Sequence, residues 1–384
     1  MTPVTTTHKT WVEISATALA SNIDNLRSVL APGVEFCAVI KSNAYGHGLR
    51  ETARLALRAN VKTFAVDSID EALAIRALDS ACAIMILGLT LPTRLPEVVS
   101  ARAIQTVYDV ETVNGLIEAA RSQGSTAYLN LKLETGLQRQ GMDLRELESV
   151  IEAIKKGGER VAVIGIGSHF ASSEDIERPE PTVAQMARFE ELVTNLDERG
   201  IKPLYVHMAC SAAALTKLDA QYNLVRFGIA LYGLWPSVGV RRTVTLGRQR
   251  VELAPVLAWR TTIAQVKSVA PGAQIGYGGH FVVNRPMRIA VLPVGYYDGY
   301  DRKLSNRGEV IIRGTRCNVL GNICMNMFMV DVSNVPAAKV GDTATLLGRD
   351  GMNAVTADDL AERCGTINYE IVTRINPLLP RLVV

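Results

Sequence analysis

Between residues 35 and 227 the chain alternates short apolar runs with helical patterns, and this alternation most narrows what it can fold into. The runs fall at 35–40, 63–66, 83–87, 104–108, 126–133, 161–167, 203–208 and 223–227, each of strand length rather than helix length. Helical spacing lies between them. Ser15 reads as an N-cap ahead of Leu19, Ile23, Leu26 and Leu30, and a second helix starts near Leu49. Ser68 and Glu71 form a capping-box signature for a helix over 68–78. Asp109 precedes a helix over 110–120, and Pro181 and Gly200 bracket another over 183–196. Eight such units in about 230 residues predict a (β/α)₈ barrel of the TIM type. A doubly wound sheet is the alternative, but the glycine fingerprint that follows its first strand is absent.

The pattern then changes. Residues 236–252 carry Arg241, Arg242, Arg248 and Arg250, which reads as an anion patch or, more in keeping with such runs, a solvated connection. From Pro255 onward, β-type runs at 256–269, 287–293, 309–313, 318–321, 328–332 and 343–347 alternate with glycine turns, predicting a β-rich domain. The expected division is a barrel over 1–238 and a β-rich domain over 239–384, with residues 9–14 free to pair with the latter. A chain of 384 residues suits two domains. A net charge of +3 is too small and dispersed for a nucleic-acid footprint. No apolar run approaches a membrane span. The first residues lack the apolar core of a secretory signal, and six cysteines without metal-finger spacing read as reduced thiols, so a cytoplasmic location is expected. Five histidines, none paired at i, i+4, give no metal site.

The chemistry centres on AVIKSNAYGHG, residues 38–48. Lys41 ends a buried strand, where desolvation disfavours the ammonium and readies the amine as nucleophile or base. The plainer reading is a lysine at the strand's wet edge. The setting favours the first: a strand, the lysine, then Tyr45 and two glycines around His47. Further candidates fall at the carboxyl ends of later strands, where barrel active sites are built. These are Arg139 in LKLETGLQRQG, His169 in GIGSHFASSED, Ser211 in HMACSAAA, and Arg226, Gly228 and Ile229 in VRFGIALYG.

The stretch around Lys41 resembles the cofactor lysine motif of alanine racemases, and the resemblance runs from TWVEI to the final PLLPR. It implies an enzyme that interconverts L- and D-alanine with pyridoxal 5′-phosphate, supplying D-alanine for peptidoglycan. It places the cofactor aldehyde on Lys41, the phosphate against Tyr45, Ser211, Gly228, Ile229 and Tyr369, and the pyridine nitrogen against Arg226. An arginine keeps its proton, so that nitrogen stays unprotonated. His169 would pack on the ring, and Arg139 would reach the phenolic oxygen and the substrate carboxylate. Lys132 occupies the place where many members carry a carbamylated lysine. Racemisation needs a second base, and the resemblance assigns it to Tyr277 in AQIGYGGHF, acting in the other subunit of a homodimer with shared sites. Tyr277 taken alone would read as a turn tyrosine. Tyr296 and Arg302 would line the substrate entrance with Asn326, and the Met325 N–H would bind the substrate carboxylate.

Some positions depart from the family pattern. Asn326 stands for a usual Asp, Gln140 for a hydrophobic residue, Cys210 for Asn, Tyr297 for Ala and Pro377 for an aromatic. They leave the cofactor chemistry intact and open a broader specificity, toward serine, lysine or arginine. A fold-related amino-acid decarboxylase is disfavoured by Arg226 and by the missing glycine-rich loop and cysteine-bearing acidic motif. A cofactor-homeostasis protein is disfavoured by the β-rich domain.

Overall fold

The computed structural model describes residues 7–247 and 251–384. By packing, the chain divides into two units: Leu19–Ala44 with Thr52–Ala254, and Met1–Ala18 with Tyr45–Glu51 and Pro255–Val384. The N-terminal strand β1 (Thr10–Ile14) belongs to the second of these.

The first unit is a nearly closed parallel barrel. Its strands are β2 (Glu35–Val39), β3 (Thr63–Val66), β4 (Ala83–Ile86), β5 (Ile104–Val107), β6 (Ala127–Lys132), β7 (Val161–Gly167), β8 (Tyr205–His207) and β9 (Leu224–Phe227). They follow chain order from β2 to β8, and β9 pairs with β2 with Cys37 opposite Arg226. All residues of β3 and β5 are buried, as strands covered on both faces require. Among the described residues no strand ladder joins β8 to β9. Asn223 bridges the seam instead: its side chain accepts from Val206 N at 2.7 Å and donates to Leu204 O at 2.9 Å.

Caps set the surrounding helices. The Asp109 side chain accepts from Thr112 N at 2.7 Å and starts the helix Val110–Ser122. The helix Glu180–Glu198 begins three residues ahead of the expected Val183, with Pro181 in its first turn. Ser68 caps Ile69–Arg76, accepting from Glu71 N at 3.3 Å, but the expected box is only half formed. The Glu71 carboxylate turns away to accept from Asp67 N at 2.9 Å and Asn43 N at 3.1 Å. Its two oxygens thereby bond two N–H groups instead of the single N–H of a completed box.

The segment expected as a solvated connection holds a helix, Val238–Leu246. Ser237 caps it by accepting from Val240 N at 3.1 Å, and Val240 and Val244 are buried one turn apart. Arg241 and Arg242 lie on its exposed side, while Arg248 and Arg250 fall outside the described residues.

In the second unit β1 meets β10 (Leu257–Thr262), β11 (Gln265–Val269), β12 (Gln274–Ile275), β13 (Phe281–Val282), β14 (Met287–Leu292), β15 (Glu309–Ile312), β16 (Thr315–Leu320), β17 (Phe328–Asp331), β18 (Thr343–Asp350), β19 (Asn353–Val355) and β20 (Arg381–Val383). The main sheet runs β11-β14-β17-β16-β15-β18-β10-β1-β20, with β19 alongside β18. β1 pairs antiparallel with β10, Val12 opposite Trp259, and parallel with β20. The expected run 256–269 is two strands in different parts of this path, divided at Ile263–Ala264. Trp259, Tyr300 and Phe328 form an aromatic core, Tyr300 stacked on Phe328 at 4.6 Å. β12 and β13 make a separate hairpin that carries Tyr277 between them. All six cysteines are free thiols, and no helix among the described residues is long and apolar enough to cross a membrane.

Candidate active site

Lys41 leaves the carboxyl end of β2 as expected, yet its ammonium is not isolated. Nζ lies 3.6 Å from Asp67 Oδ1, just past β3, and 36% of the side chain is exposed. The turn behind it is unusual. Ser42, Asn43, Ala44 and Tyr45 have φ of 56°, 54°, 53° and 52°, four consecutive left-handed residues without a glycine. Such backbone costs roughly 1–2 kcal/mol per residue, so its neighbours must enforce it.

Arg226 fills the barrel interior and is 5% exposed. Nη2 donates to Ser168 O at 2.7 Å, Met208 O at 3.1 Å and His169 Nδ1 at 3.2 Å, and Nη1 donates to His207 O at 3.3 Å and to His207 Nδ1. Among the described residues Nε–H has no partner, and no carboxylate pairs with the guanidinium. Burial pushes the Cys37 thiol, paired across from Arg226, up to about 12, so it supplies no counter-anion either.

Because a guanidinium only donates, it sets the direction of a whole chain of bonds. His207 Nδ1 must accept, so its Nε2–H donates to Asn130 Oδ1 at 2.9 Å, and Asn130 Nδ2 donates to Thr106 Oγ1 at 3.1 Å. His169 Nδ1 must accept as well. Burial, and then the charge of Arg226, hold both imidazoles well below their usual basicity, in agreement with neutral rings. Two glycines of β7 make room: a Cβ on Gly167 would lie 2.3 Å from the His207 ring, and one on Gly165 2.4 Å from Asn130 Oδ1.

Around this core sit the other barrel candidates. Ser211 Oγ accepts from Gly228 N at 3.0 Å and Ala230 N at 3.4 Å, which leaves its own proton to donate outward beside the turn at Gly228 and Ile229. Lys132 ends β6; burial, Arg226 and Arg139 in that order hold its basicity well below that of a free lysine. Arg139 is exposed on a loop whose Gly136 and Gln138 N–H groups bond the Glu134 carboxylate. Gln185 ties that loop to the next, donating to Thr135 Oγ1 at 3.2 Å and His169 O at 3.0 Å.

The remaining candidates belong to the strand-rich unit. Tyr45 and Tyr369 face each other with ring centroids 6.2 Å apart, and Arg381 donates to Gly46 O at 2.9 Å. Tyr277 is 73% exposed on its hairpin between Gly276 (φ 75°) and Gly278 (φ 76°), and its carbonyl accepts from Asn322 Nδ2 at 2.8 Å. Tyr296 N and Tyr297 N donate to Cys324 O and Met325 O at 3.1 and 3.0 Å. That approach needs Gly295, where a Cβ would lie 2.1 Å from Cys324 O. Met325 and Asn326 are exposed. Tyr296 and Arg302 border a pocket of about 510 Å³ with Gly299, Asp301 and Arg374.

Residues 14–236 match the family model for the alanine racemase N-terminal domain, and residues 256–383 match that for the C-terminal domain. The chain is a member of the alanine racemase family. It is an isomerase of that class, 39% identical to alanine racemase from Leptospira interrogans serogroup Icterohaemorrhagiae serovar Lai over 98% of this chain and 96% of the relative. Alanine racemase from Methanococcus maripaludis is 34% identical over 98% of each. Among solved structures, alanine racemase from Bacillus anthracis with bound L-Ala-P is 32% identical, with a TM-score of 0.91 over 99% of this chain and 96% of that one. The enzyme from Streptomyces coelicolor A3(2) is 35% identical, with a TM-score of 0.91 over 98% of each. Membership agrees with the barrel and strand-rich architecture expected from the sequence.

Sequence reasoning missed His207, Asn130, Asp67 and Gln185. The pair Gly165 and Gly167, two apart in one strand, was the available sign that large side chains approach β7 from one face. The two neutral histidines give a pH dependence of stability. Each binds a proton more readily in the unfolded chain, at about pH 6.5, than in the fold, so stability falls as pH drops below that value, by up to about 1.4 kcal/mol per pH unit for each ring. Denaturation of the wild type between about pH 6.5 and 5, above the carboxylate range, should show this slope, and His207→Asn should make it shallower. A flat profile in that window contradicts neutral, buried rings.

Proposed function

We propose that this chain interconverts L- and D-alanine with pyridoxal 5′-phosphate held on Lys41, in a homodimer whose sites are each completed by Tyr277 of the second copy. The observation that carries the reading is the Arg226 arrangement, in a chain of this family: a guanidinium buried inside the barrel that holds Lys41, with no carboxylate and no Nε–H partner among the described residues. The donor set fits the cofactor. A lysine amine suits the aldehyde. The outward proton of Ser211, the backbone at Gly228 and Ile229, and the hydroxyls of Tyr45 and Tyr369 suit the phosphate. Arg226 suits the ring nitrogen, His169 the ring face, and Arg139 the phenolic oxygen. When bound, the cofactor withdraws electrons from the substrate and acidifies its Cα–H bond.

The protein then has to hold the substrate and move one proton on each face. Arg139 and the Met325 N–H bind the carboxylate. Once the substrate amine has displaced it from the cofactor aldehyde, Lys41 Nζ would take the proton of the D-enantiomer while Tyr277 Oη–H gives one up to the opposite face; for the L-enantiomer Tyr277 Oη would take the proton and the Lys41 ammonium would return one. A free phenol is too weak an acid to be a good base at neutral pH, so a cation must favour its ionised form. The network's permanent cation is Arg226, because His169 is held neutral. Tyr277 is well placed to serve a second copy, being exposed on a glycine-flanked hairpin. Two copies related by a two-fold axis would exchange this contribution reciprocally.

The functional domains are the barrel, 1–238, and the β-rich domain, 239–384, the latter joined by the N-terminal strand within 9–14. Lys132 is carbamylated: a carbamate turns a lysine crowded by Arg226 and Arg139 into an anion between two cations. Tyr296, Arg302 and Asn326 line the entrance. The product is D-alanine for the cell wall, made in the cytoplasm. Alanine is the preferred substrate, and the departures at Gln140, Cys210, Tyr297 and Asn326 are where wider specificity toward serine, lysine or arginine would show in an assay of each.

Lys41→Ala should abolish both the visible absorbance of bound cofactor and racemisation, and normal turnover by that variant would refute the assignment. Tyr277→Phe should slow proton removal from L-alanine more than from D-alanine. Mixing the two inactive variants should restore activity, because one site of the mixed dimer holds both native residues. If subunits exchange and activity stays absent, the shared site is wrong. For Lys132, carbon-13 bicarbonate should give a carbamate resonance that Lys132→Ala lacks, and a wild-type spectrum without it contradicts the modification.

A further inference from the structure

We propose that Glu71 is a positioning residue for Lys41: its carboxylate holds the left-handed turn behind the lysine and so sets where the amine points. The inference rests on the reading of Lys41 as the cofactor lysine and adds a residue with no expected part in the chemistry. Three observations carry it. The turn Ser42–Tyr45 is left-handed at four consecutive non-glycine positions, so it persists only where bonds to surrounding structure enforce it. One enforcing bond is local, from Ala44 N to Ile40 O at 2.9 Å. Another comes from outside the turn, where Asn43 N donates to Glu71 Oε1 at 3.1 Å.

The second Glu71 oxygen, Oε2, accepts from Asp67 N at 2.9 Å, and Asp67 Oδ1 is the atom 3.6 Å from Lys41 Nζ. One carboxylate therefore fastens both the turn that follows Lys41 and the residue paired with its amine. Asp67 is itself confined, since a Cβ on Gly88 would lie 2.5 Å from its carbonyl oxygen and 3.0 Å from Oδ2. A glutamate serving only its own helix would return to the N–H of Ser68 and complete the capping box. Glu71 forgoes that bond, although Ser68 supplies its half of the box.

The test compares three holoenzyme variants by steady-state kinetics and by hydrogen exchange at the amides of Asn43 and Ala44. Glu71→Gln keeps the shape but offers one acceptor oxygen instead of two, so it cannot hold both N–H groups. Its kcat should fall by about tenfold or more, as expected for a misplaced reacting group, with a much smaller change in KM, and the two amides should exchange faster. Ser68→Ala removes the helix cap alone; it should lower the melting temperature while leaving kcat and both amides as in the wild type. Glu71→Asp keeps the charge but is one methylene short, and it reads the same quantities should Glu71→Gln not fold. Glu71 variants that match Ser68→Ala, losing stability with kcat and exchange unchanged, overturn the proposal, as does faster exchange with an unchanged kcat. Neither result touches the assignment of Lys41, which stands or falls on Lys41→Ala.

Discussion

A guanidinium buried without a counter-acid is the constraint to which the barrel interior conforms. Left unpaired, a charge in such a place costs several kcal/mol, so hydrogen-bond acceptors must gather around it. Arg226 meets that demand with three carbonyls from the ends of β7 and β8 and two imidazoles. Each partner has consequences further out. The imidazoles must be neutral, which fixes their tautomers. His207 must find an acceptor for its other nitrogen, which fixes Asn130 and then Thr106. The rings need space, which fixes glycine at 165 and 167. A carboxylate in place of either imidazole would supply the missing counter-charge.

The same arrangement separates two tasks. The interior supplies charge and donors in a rigid setting, made by strands whose positions the barrel dictates. The Lys41 amine sits at the head of a turn, and turns are held by individual bonds rather than by a lattice of them. That is why the environment of Lys41 includes features with no counterpart deeper in the barrel: a left-handed run, an adjacent carboxylate at Asp67, and a glutamate spanning both. The strand-rich unit presents its tyrosines differently again. Tyr277 and Tyr296 ride on short turns seated by glycines at 276 and 295, which allow close backbone approach while leaving the side chains exposed.

Much of this was legible in the residues. The eight barrel strands were found within a residue or two because fully buried strands are written as short apolar runs, and Lys41, His169, Ser211 and Arg226 lie at the ends of those strands. What escaped depends on contacts distant in sequence. Asn130 and His207 are 77 residues apart, and neither has a distinctive neighbourhood. Glu71 carries a capping-box spacing, and the N–H groups of Asn43 and Asp67 beside it divert the carboxylate. The helix Val238–Leu246 was obscured by its arginines and glycine; its two buried valines, four apart, are a thin apolar stripe. The break at Ile263–Ala264 was hidden because both flanking segments have strand character.

The central claim is that Arg226, lacking an acid and unable to give up its proton, keeps the cofactor's ring nitrogen unprotonated. The direct measurement is the nitrogen-15 chemical shift of that nitrogen in protein loaded with ring-labelled pyridoxal 5′-phosphate, followed across the pH range of activity. The account predicts a shift that stays at the unprotonated position throughout, and that moves toward the protonated position when Arg226 is replaced by glutamate. A protonated ring nitrogen in the wild type at neutral pH would contradict it.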